Sequence, residues 1–290
     1  MNITIECLPC FVRHTIGVLG EFSEDERLHE RVLRKLFKRL AEADYSMSPP
    51  ELAAEIHVTV RRELACDDPY FKIKKDSNSL AKQIVGNLKA KLTANSNPLY
   101  AATMYAIAGN IIDSGVSAVT SIEDIQKSIE MAEKEMPEIN DYQQFTDAIE
   151  RSERILILGD NAGEIFFDKM LIEKMPEGKE IIYAVKSGAI LNDATLQDAK
   201  EAGIDRLATL IENGTRIPGT PLRKVSPEFK RFYDSADMII SKGQANFETL
   251  SEESDERVFF LLRAKCDVIA RKLGVGKGSF VIFQSRKKII

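Results

Sequence analysis

Apolar residues recur at helical spacing through the first half of the chain. They fall three or four residues apart, so each stretch presents one apolar face that can pack on a neighbour. Ser48 followed by two prolines is typical of a helix start. This pattern predicts helices over 9–19, 26–43, 50–64, 77–92, 99–113 and 122–131.

The pattern changes after residue 150, where short runs of apolar and β-branched residues appear. Helical stretches such as 166–174 and 194–202 separate several of these runs. Strands that alternate with helices need crossover connections, which predict a mostly parallel sheet. We therefore predict an α/β protein with an all-helical cap domain over 1–150 and a sheet domain over 151–290. The predicted strands are 155–158, 181–185, 208–211, 238–240, 258–262 and 280–283.

A polar turn follows the first predicted strand at once and contains Asp160, Asn161 and Glu164. In open α/β sheets, ligands bind beyond the carboxyl ends of the strands. Carboxylate and amide oxygens at such a place suit a hard metal ion. The alternative stays open that the acid and amide cap a helix while Gly163 permits the turn. The turn matches neither the phosphate-binding Walker loop nor the glycine pattern of dinucleotide folds.

A second polar turn follows the strand at 181–185 and contains Lys186, Asn192 and Asp193. Asp193 taken alone is most simply a helix-capping acid. Neighbouring parallel strands end at the same edge of a sheet, however, so Asp193 and Asp160 can share one metal. Two carboxylates and an amide suit Mg²⁺ or Mn²⁺ better than Zn²⁺.

The strand at 238–240 leads into a third polar turn, where Lys242 is a candidate to face a phosphate. Gln244, Asn246 and Glu248 follow it. A lysine beside a glycine is more often simply solvated, but three polar turns at successive strand ends favour one shared site. The glycine- and proline-containing segment 213–225 is predicted to be a loop that borders this site.

Charge and composition exclude some classes of function. The 290 residues carry a formal charge of −5, which argues against a nucleic-acid partner. No apolar run approaches the roughly 20 residues that span a bilayer, and residues 1–6 lack signal-peptide features. We therefore predict a cytoplasmic protein with no membrane partner.

Cys7 and Cys10 form a C-x-x-C pair that suits either a metal or a redox couple. A four-ligand zinc site would need two more ligands, and the chain has no second C-x-x-C. Cys266 is a candidate to approach the pair in space. We predict a structural or redox role for these three cysteines, outside the catalytic group.

The three strand-end motifs together resemble the DUF89 family. They read G-D-N-A-G-E at 159–164, K-S-G-x-x-x-N-D-A-T at 186–195 and S-K-G-Q-A-N-F-E at 241–248. The first half adds D-P-Y at 68–70 and A-G-N-I-I-D at 108–113. With the C-x-x-C, these resemble the largely archaeal and bacterial branch of the family. The resemblance covers nearly the whole chain and implies a helical domain joined to a three-layer α/β/α domain.

The resemblance also implies roles for individual residues. Asp160, Asn161 and Asp193 match the metal-binding set of the family, and Lys242 matches a lysine expected at the phosphate. Glu164 fits a role in orienting water near the metal. The resemblance makes Asn110 and Asp113 candidates to line the same cleft. The alternative is that these two residues only form the end of a helix before Gly115. The wider set expected to bind substrate is Asn110, Asp113, Lys186, Asn192, Gln244 and Asn246.

The family includes damage-control metal-dependent phosphatases and a protein first described as a carboxyl methyltransferase. We therefore predict a phosphatase that uses Mn²⁺, Mg²⁺, Co²⁺ or Ni²⁺ with Asp160, Glu164 and Lys242 as catalytic residues. The family implies small phosphorylated metabolites as substrates, such as sugar phosphates, phosphopantetheine-type compounds or damaged phosphometabolites. The alternatives are an S-adenosylmethionine-dependent methyltransferase and a non-catalytic binding module. Paired acids would repel a bare phosphate, which disfavours the binding module. The sequence leaves the oligomeric state open.

Overall fold

The computed structural model describes residues 1–111 and 122–286, which contain twelve α-helices and seven strands. Asp113, predicted to bind substrate, lies outside the described residues. The helices are α1 (Leu8–Phe22), α2 (Glu26–Ala41), α3 (Pro49–Leu64), α4 (Phe71–Ala94), α5 (Pro98–Ala108), α6 (Ile122–Lys134), α7 (Tyr142–Arg151), α8 (Glu164–Ile172), α9 (Leu196–Ala202), α10 (Pro227–Ser235), α11 (Gly243–Leu250) and α12 (Asp267–Leu273). The strands are β1 (Ile139–Asn140), β2 (Arg154–Leu158), β3 (Glu180–Val185), β4 (Thr209–Glu212), β5 (Met238–Lys242), β6 (Val258–Arg263) and β7 (Phe280–Gln284).

All seven strands belong to one sheet in the order β1-β7-β6-β5-β2-β3-β4. Every neighbouring pair is parallel except β6 with β7, which is antiparallel. Strand β2 lies near the centre, with Ile155 opposite Ile181 of β3 and Met238 of β5. The predicted α/β fold with a mostly parallel sheet is confirmed.

Alternate residues of the central strand enter different hydrophobic cores. Ile155 and Ile157 pack in a cluster with α4 to α9, whereas Leu156 and Leu158 pack with α10 to α12. Successive side chains of a strand point to opposite faces, so a continuous apolar run means that both faces are covered. The result is the three-layer α/β/α arrangement implied by the resemblance.

Helices α1 to α3 and the start of α4 form a third hydrophobic cluster around Leu19, Leu36 and Leu52. The division between clusters does not coincide with the predicted boundary near residue 150, because residues of α4 to α6 belong to the same hydrophobic cluster as one face of β2 and β3. Helical spacing reveals that a helix has a buried face but not which element covers it. Strand β1 was also not predicted, since two residues are too few to show a strand period. None of the described helices is long and apolar enough to cross a membrane.

Asn78 ties α4 to the turn that follows β2. Its side-chain oxygen accepts a 2.7 Å hydrogen bond from the Gly163 backbone N–H, and its amide donates to Asp198 at 3.0 Å. Asn78 is fully buried. The side chain therefore fixes the backbone just before α8 begins.

Replacing Asn78 with alanine should lower the free energy of unfolding by about 1–3 kcal/mol, because it strands the buried Gly163 N–H and an Asp198 oxygen. Urea unfolding would measure this loss. Gln83→Ala, at an exposed position of the same helix, is the control and should change stability by less than about 0.5 kcal/mol. Equal losses in the two variants would contradict the role assigned to Asn78.

Candidate active site

The polar turns after β2 and β3 are joined by backbone contacts. Asn161 forms an isolated antiparallel bridge with Asp193, and the Ala194 N–H donates to the Asp160 carbonyl oxygen at 2.8 Å. The predicted metal-binding residues are therefore neighbours at the carboxyl edge of the sheet, as the parallel topology requires.

A cavity of about 630 Å³ lies between this edge and the helical unit α1 to α3. The sheet side contributes Asp160, Asn161, Asn192, Asp193 and Gln244 to its wall. A volume of this size suits a small metabolite. Five of the residues predicted to bind metal or substrate thus line one cavity. Pro218 also lines it, so the predicted loop at 213–225 does border the cavity.

Asn110 links the two acids of the first motif. It lies in the short 3₁₀ turn Gly109–Ile111 that follows α5 and is fully buried. Its side-chain amide donates to Asp160 Oδ2 at 2.9 Å and to Glu164 Oε2 at 2.6 Å. Asn161 donates to the same Asp160 oxygen at 2.9 Å. The observed contacts of Asn110 therefore hold carboxylates in place.

Lys242 is fully buried between two acids of α8. Its ammonium donates to Glu164 at 2.5 Å, to Asp168 at 2.5 Å and to the Ala106 carbonyl at 3.0 Å. Glu164 and Asp168 are four residues apart, so both face the same side of α8. The ammonium of Lys242 is already ion-paired with these two buried carboxylates. Its contacts therefore differ from those expected of a lysine that faces a phosphate.

The charges in this group shift one another's pKa values. Burial and the neighbouring Glu164 raise the pKa of Asp168 above its usual value, although Lys242 opposes the shift. Burial disfavours the ammonium of Lys242, but Asp168 and Glu164 outweigh this effect and raise its pKa. The Tyr183 hydroxyl donates to Asp168 at 2.6 Å. Lys242 therefore stays charged and balances the acids behind the cavity.

Lys186 and Asn246, the other two residues predicted to bind substrate, form hydrogen bonds or ion pairs with other groups of the protein. The Lys186 ammonium is 3.6 Å from Asp193 Oδ2 and donates to the Gly219 carbonyl at 2.5 Å. Asn246 donates to the Lys242 carbonyl at 2.7 Å and accepts from the Thr220 hydroxyl at 2.7 Å. Lys186 thus brings a buried positive charge beside Asp193, while Asn246 fastens the 213–225 loop to the start of α11.

Cys7, Cys10 and Cys266 all line the same cavity and are free thiols. Gln244 lies 3.5 Å from the Cys266 sulfur, and burial raises the pKa of that thiol. Within residues 1–111 and 122–286, no group of three or more His, Cys, Asp or Glu side chains is arranged to hold a metal. The structural or redox role of the cysteines stays a prediction.

Sequence reasoning missed Asn78 and Asp168, and it considered His57 only as one of three histidines that could join the C-x-x-C, without singling it out. Asp168 carries a faint signal, since it is an acid inside an otherwise apolar helical run. Asn78 and His57 carry none, because single polar residues on helices are common. His57 is 2% exposed and lines the cavity, and burial with the charges of Arg61, Lys74 and Arg216 lowers its pKa to about 3.

This architecture defines an α/β protein with a carboxylate- and amide-lined cavity at the carboxyl edge of a parallel sheet. The chain belongs to the family described as the damage-control phosphatase ARMT1-like domain, whose model matches residues 3–281. The DUF89 resemblance is thereby confirmed.

Relatives in two archaea support this assignment. The chain is 38% identical to a damage-control phosphatase of Pyrococcus horikoshii over 100% of both chains. It is 33% identical to a damage-control phosphatase of Archaeoglobus fulgidus, covering 97% of this chain and 98% of that one. A crystal structure of a DUF89 family protein from P. horikoshii superposes with a TM-score of 0.91 at 37% identity, covering 99% of this chain and 100% of that chain. The names of these relatives support a phosphatase role for the family.

Gly243 leaves room for the Asp160 carboxylate. Its φ is +73°, and a Cβ atom at this position would overlap Asp160 Oδ2. Gly243→Ala should therefore displace Asp160 as well as strain the backbone. Gly274, with φ of +71° and open space around it, is a matched control for the backbone cost alone.

Both alanine variants should lose about 1–2 kcal/mol from the left-handed backbone conformation. Gly243→Ala should lose at least about 1 kcal/mol more, because the added carbon forces neighbouring atoms to shift. Urea unfolding of the two variants and the wild type measures the difference. Equal losses would mean that Asp160 does not depend on this close approach.

Proposed function

We propose that this chain is a metal-dependent phosphatase that hydrolyses small phosphorylated metabolites. The observation that carries the proposal is the meeting of Asp160, Asn161 and Asp193 on one wall of a metabolite-sized cavity. The family membership favours the same reaction class. The proposed substrates are phosphate esters such as sugar phosphates or damaged phosphometabolites.

The donor set fits a divalent ion such as Mn²⁺, Mg²⁺, Co²⁺ or Ni²⁺. Asp160 and Asp193 are 4% and 3% exposed, and buried carboxylates are costly unless positive charge or hydrogen bonds compensate them. Two carboxylates and the Asn161 amide oxygen supply the hard ligands that such ions take. When bound, the ion would offset negative charge that develops on the phosphoryl oxygens.

The residues around the proposed metal ligands are assigned different roles in the reaction. Lys186, beside Asp193, is proposed to attract a phosphate oxygen and to hold Asp193 in place. Asp160 lines the cavity, so it is the acid proposed to accept a proton from the attacking water. Glu164 and Lys242 are fully buried and are proposed to act through their contacts by positioning Asn110 and Asp160. Asn192 and Gln244 are proposed to contact the substrate.

The contacts of the first turn do not favour the methyltransferase alternative. Gly159 packs closely against the ring and hydroxyl of Tyr183. The Gly163 N–H is already bonded to Asn78. The glycines of this turn therefore serve internal packing.

Phosphate release from small phosphate esters tests the proposal directly. Metal-stripped protein should be inactive, and adding Mg²⁺, Mn²⁺, Co²⁺ or Ni²⁺ singly should restore turnover with at least one ion. Asp193→Asn should lower kcat/KM by about 100-fold or more, since even residues that only support metal ligands are worth 10- to 100-fold. Asp205→Asn, at an exposed position outside the cavity, should match the wild type.

Full turnover by the stripped protein, or by Asp193→Asn, would overturn the assigned site. Thermal protection by S-adenosylmethionine without any effect of metal would instead favour the methyltransferase.

A further inference from the structure

The wall of the cavity is acidic at one end of the sheet edge and basic at the other. Asp160 and Asp193 follow β2 and β3. Arg263 ends β6, and Lys265 comes two residues later. All four residues line the cavity. Strands β2, β5 and β6 are consecutive and parallel in the sheet, so two strand spacings separate the ends of β2 and β6, which is roughly 10 Å.

Helix α1 adds a further cation to the basic end. Arg271 of α12 donates to Glu6, which directly precedes the start of α1, so this part of the helical unit lies against the segment that follows β6. Arg13 of α1 is exposed and lines the cavity. Its guanidinium donates to the Cys10 sulfur at 3.3 Å and forms no ion pair with a carboxylate of residues 1–111 or 122–286.

Arg263 also has only uncharged partners in the described part of the chain. Its guanidinium donates to the Gly278 carbonyl oxygen at 2.8 Å and to the Ser128 hydroxyl oxygen at 3.3 Å, and it lies 3.8 Å from the Met131 sulfur. Burial lowers the pKa of Arg263, and Glu135 only partly opposes that shift. An arginine stays charged near pH 7 even so. The cavity wall therefore includes a half-buried positive charge that these partners do not neutralise.

The remaining acids of the cavity wall do not neutralise these two arginines. Each of the three has a recorded partner elsewhere: Glu6 with Arg271, Asp267 with Lys277, and Glu248 with the Gln244 amide. Guanidinium groups bind carboxylates and phosphates through paired hydrogen bonds. The basic end is therefore suited to an anion that enters the cavity.

We propose that the substrate is a phosphate ester whose organic half carries a second anionic group, either a carboxylate or another phosphate. The phosphoryl group to be hydrolysed lies at the Asp160–Asp193 wall, and Arg13, Arg263 and Lys265 bind the second anion. The inference rests on the proposed phosphatase function and names the substrate class of that site. An extended sugar-acid phosphate has the length to reach both ends.

The test compares 6-phosphogluconate with sorbitol 6-phosphate. The two esters differ only at the carbon farthest from the phosphate, which is a carboxylate in the first and a hydroxymethyl group in the second. Wild-type protein with an activating metal should prefer 6-phosphogluconate at least about 10-fold in kcat/KM, through a lower KM, because a hydrogen bond between charged groups contributes an effect of this size.

Sorbitol 1,6-bisphosphate distinguishes the two sources of the second anion. A kcat/KM per phosphate group above that of 6-phosphogluconate identifies a second phosphate as the preferred anion. The reverse order identifies a carboxylate. Both esters should exceed sorbitol 6-phosphate.

Variants of Arg13 test the basic end itself. Arg13→Gln should lower the preference for 6-phosphogluconate at least about 3-fold, mainly through KM, since it removes one cation from the wall. Arg13→Lys, which keeps the charge, should retain most of the preference, and adding Lys265→Gln to Arg13→Gln should lower it further. Arg27→Gln is the matched control, because Arg27 is an exposed arginine of α2 outside the cavity and should keep the wild-type ratio.

Equal kcat/KM values for the three esters, or a preference that Arg13→Gln leaves unchanged, would overturn the anion subsite. Those results leave the phosphatase proposal standing if the esters are still hydrolysed with metal. If the wild type hydrolyses none of them with any of the four metals, calorimetric Kd values decide the two proposals separately. Tighter binding of 6-phosphogluconate than of sorbitol 6-phosphate, lost in Arg13→Gln, would support the subsite and count against the phosphatase, whereas equal Kd values would count against both.

Discussion

The site depends on the buried ion pairs that the ammonium of Lys242 forms with Glu164 and Asp168. This ammonium joins the end of β5 to Glu164 and Asp168 of α8 and to the Ala106 carbonyl of α5. Removing one partner of such a buried ion pair costs about 3–5 kcal/mol, because the remaining charge is left uncompensated. This group therefore fixes the strand, the helix and the covering helical layer relative to one another.

A chain of hydrogen bonds leads from Lys242 to the acids at the cavity. Glu164 accepts from Lys242 and from Asn110, and Asn110 in turn holds Asp160. Lys186 brings a second buried cation beside Asp193. The acids that face the cavity are thus supported from behind by positive charge and by amide donors. Such preorganisation is what the proposed binding of a cation and a phosphate ester requires.

Much of this arrangement could be predicted from the sequence. Continuous apolar runs predicted the six longer strands, and polar turns after three of them predicted a shared edge at which Asp160, Asn161 and Asp193 do meet. The surroundings of Lys242 could not be predicted, because its partner Asp168 sits inside an apolar helical run and comes near only through packing. The partners of α4 to α6 and the placement of His57 depend on contacts between distant segments, which a periodic pattern does not encode.

Anomalous scattering from crystals of the protein soaked in Mn²⁺ tests the proposed metal site most directly. We expect one strong peak at the cavity wall, in contact with oxygens of Asp160, Asn161 and Asp193. Crystals of the Asp193→Asn variant should show that peak weakened or absent. A strong peak elsewhere, for example at Cys7 and Cys10, with none at the carboxylates, would rule out the proposed metal site.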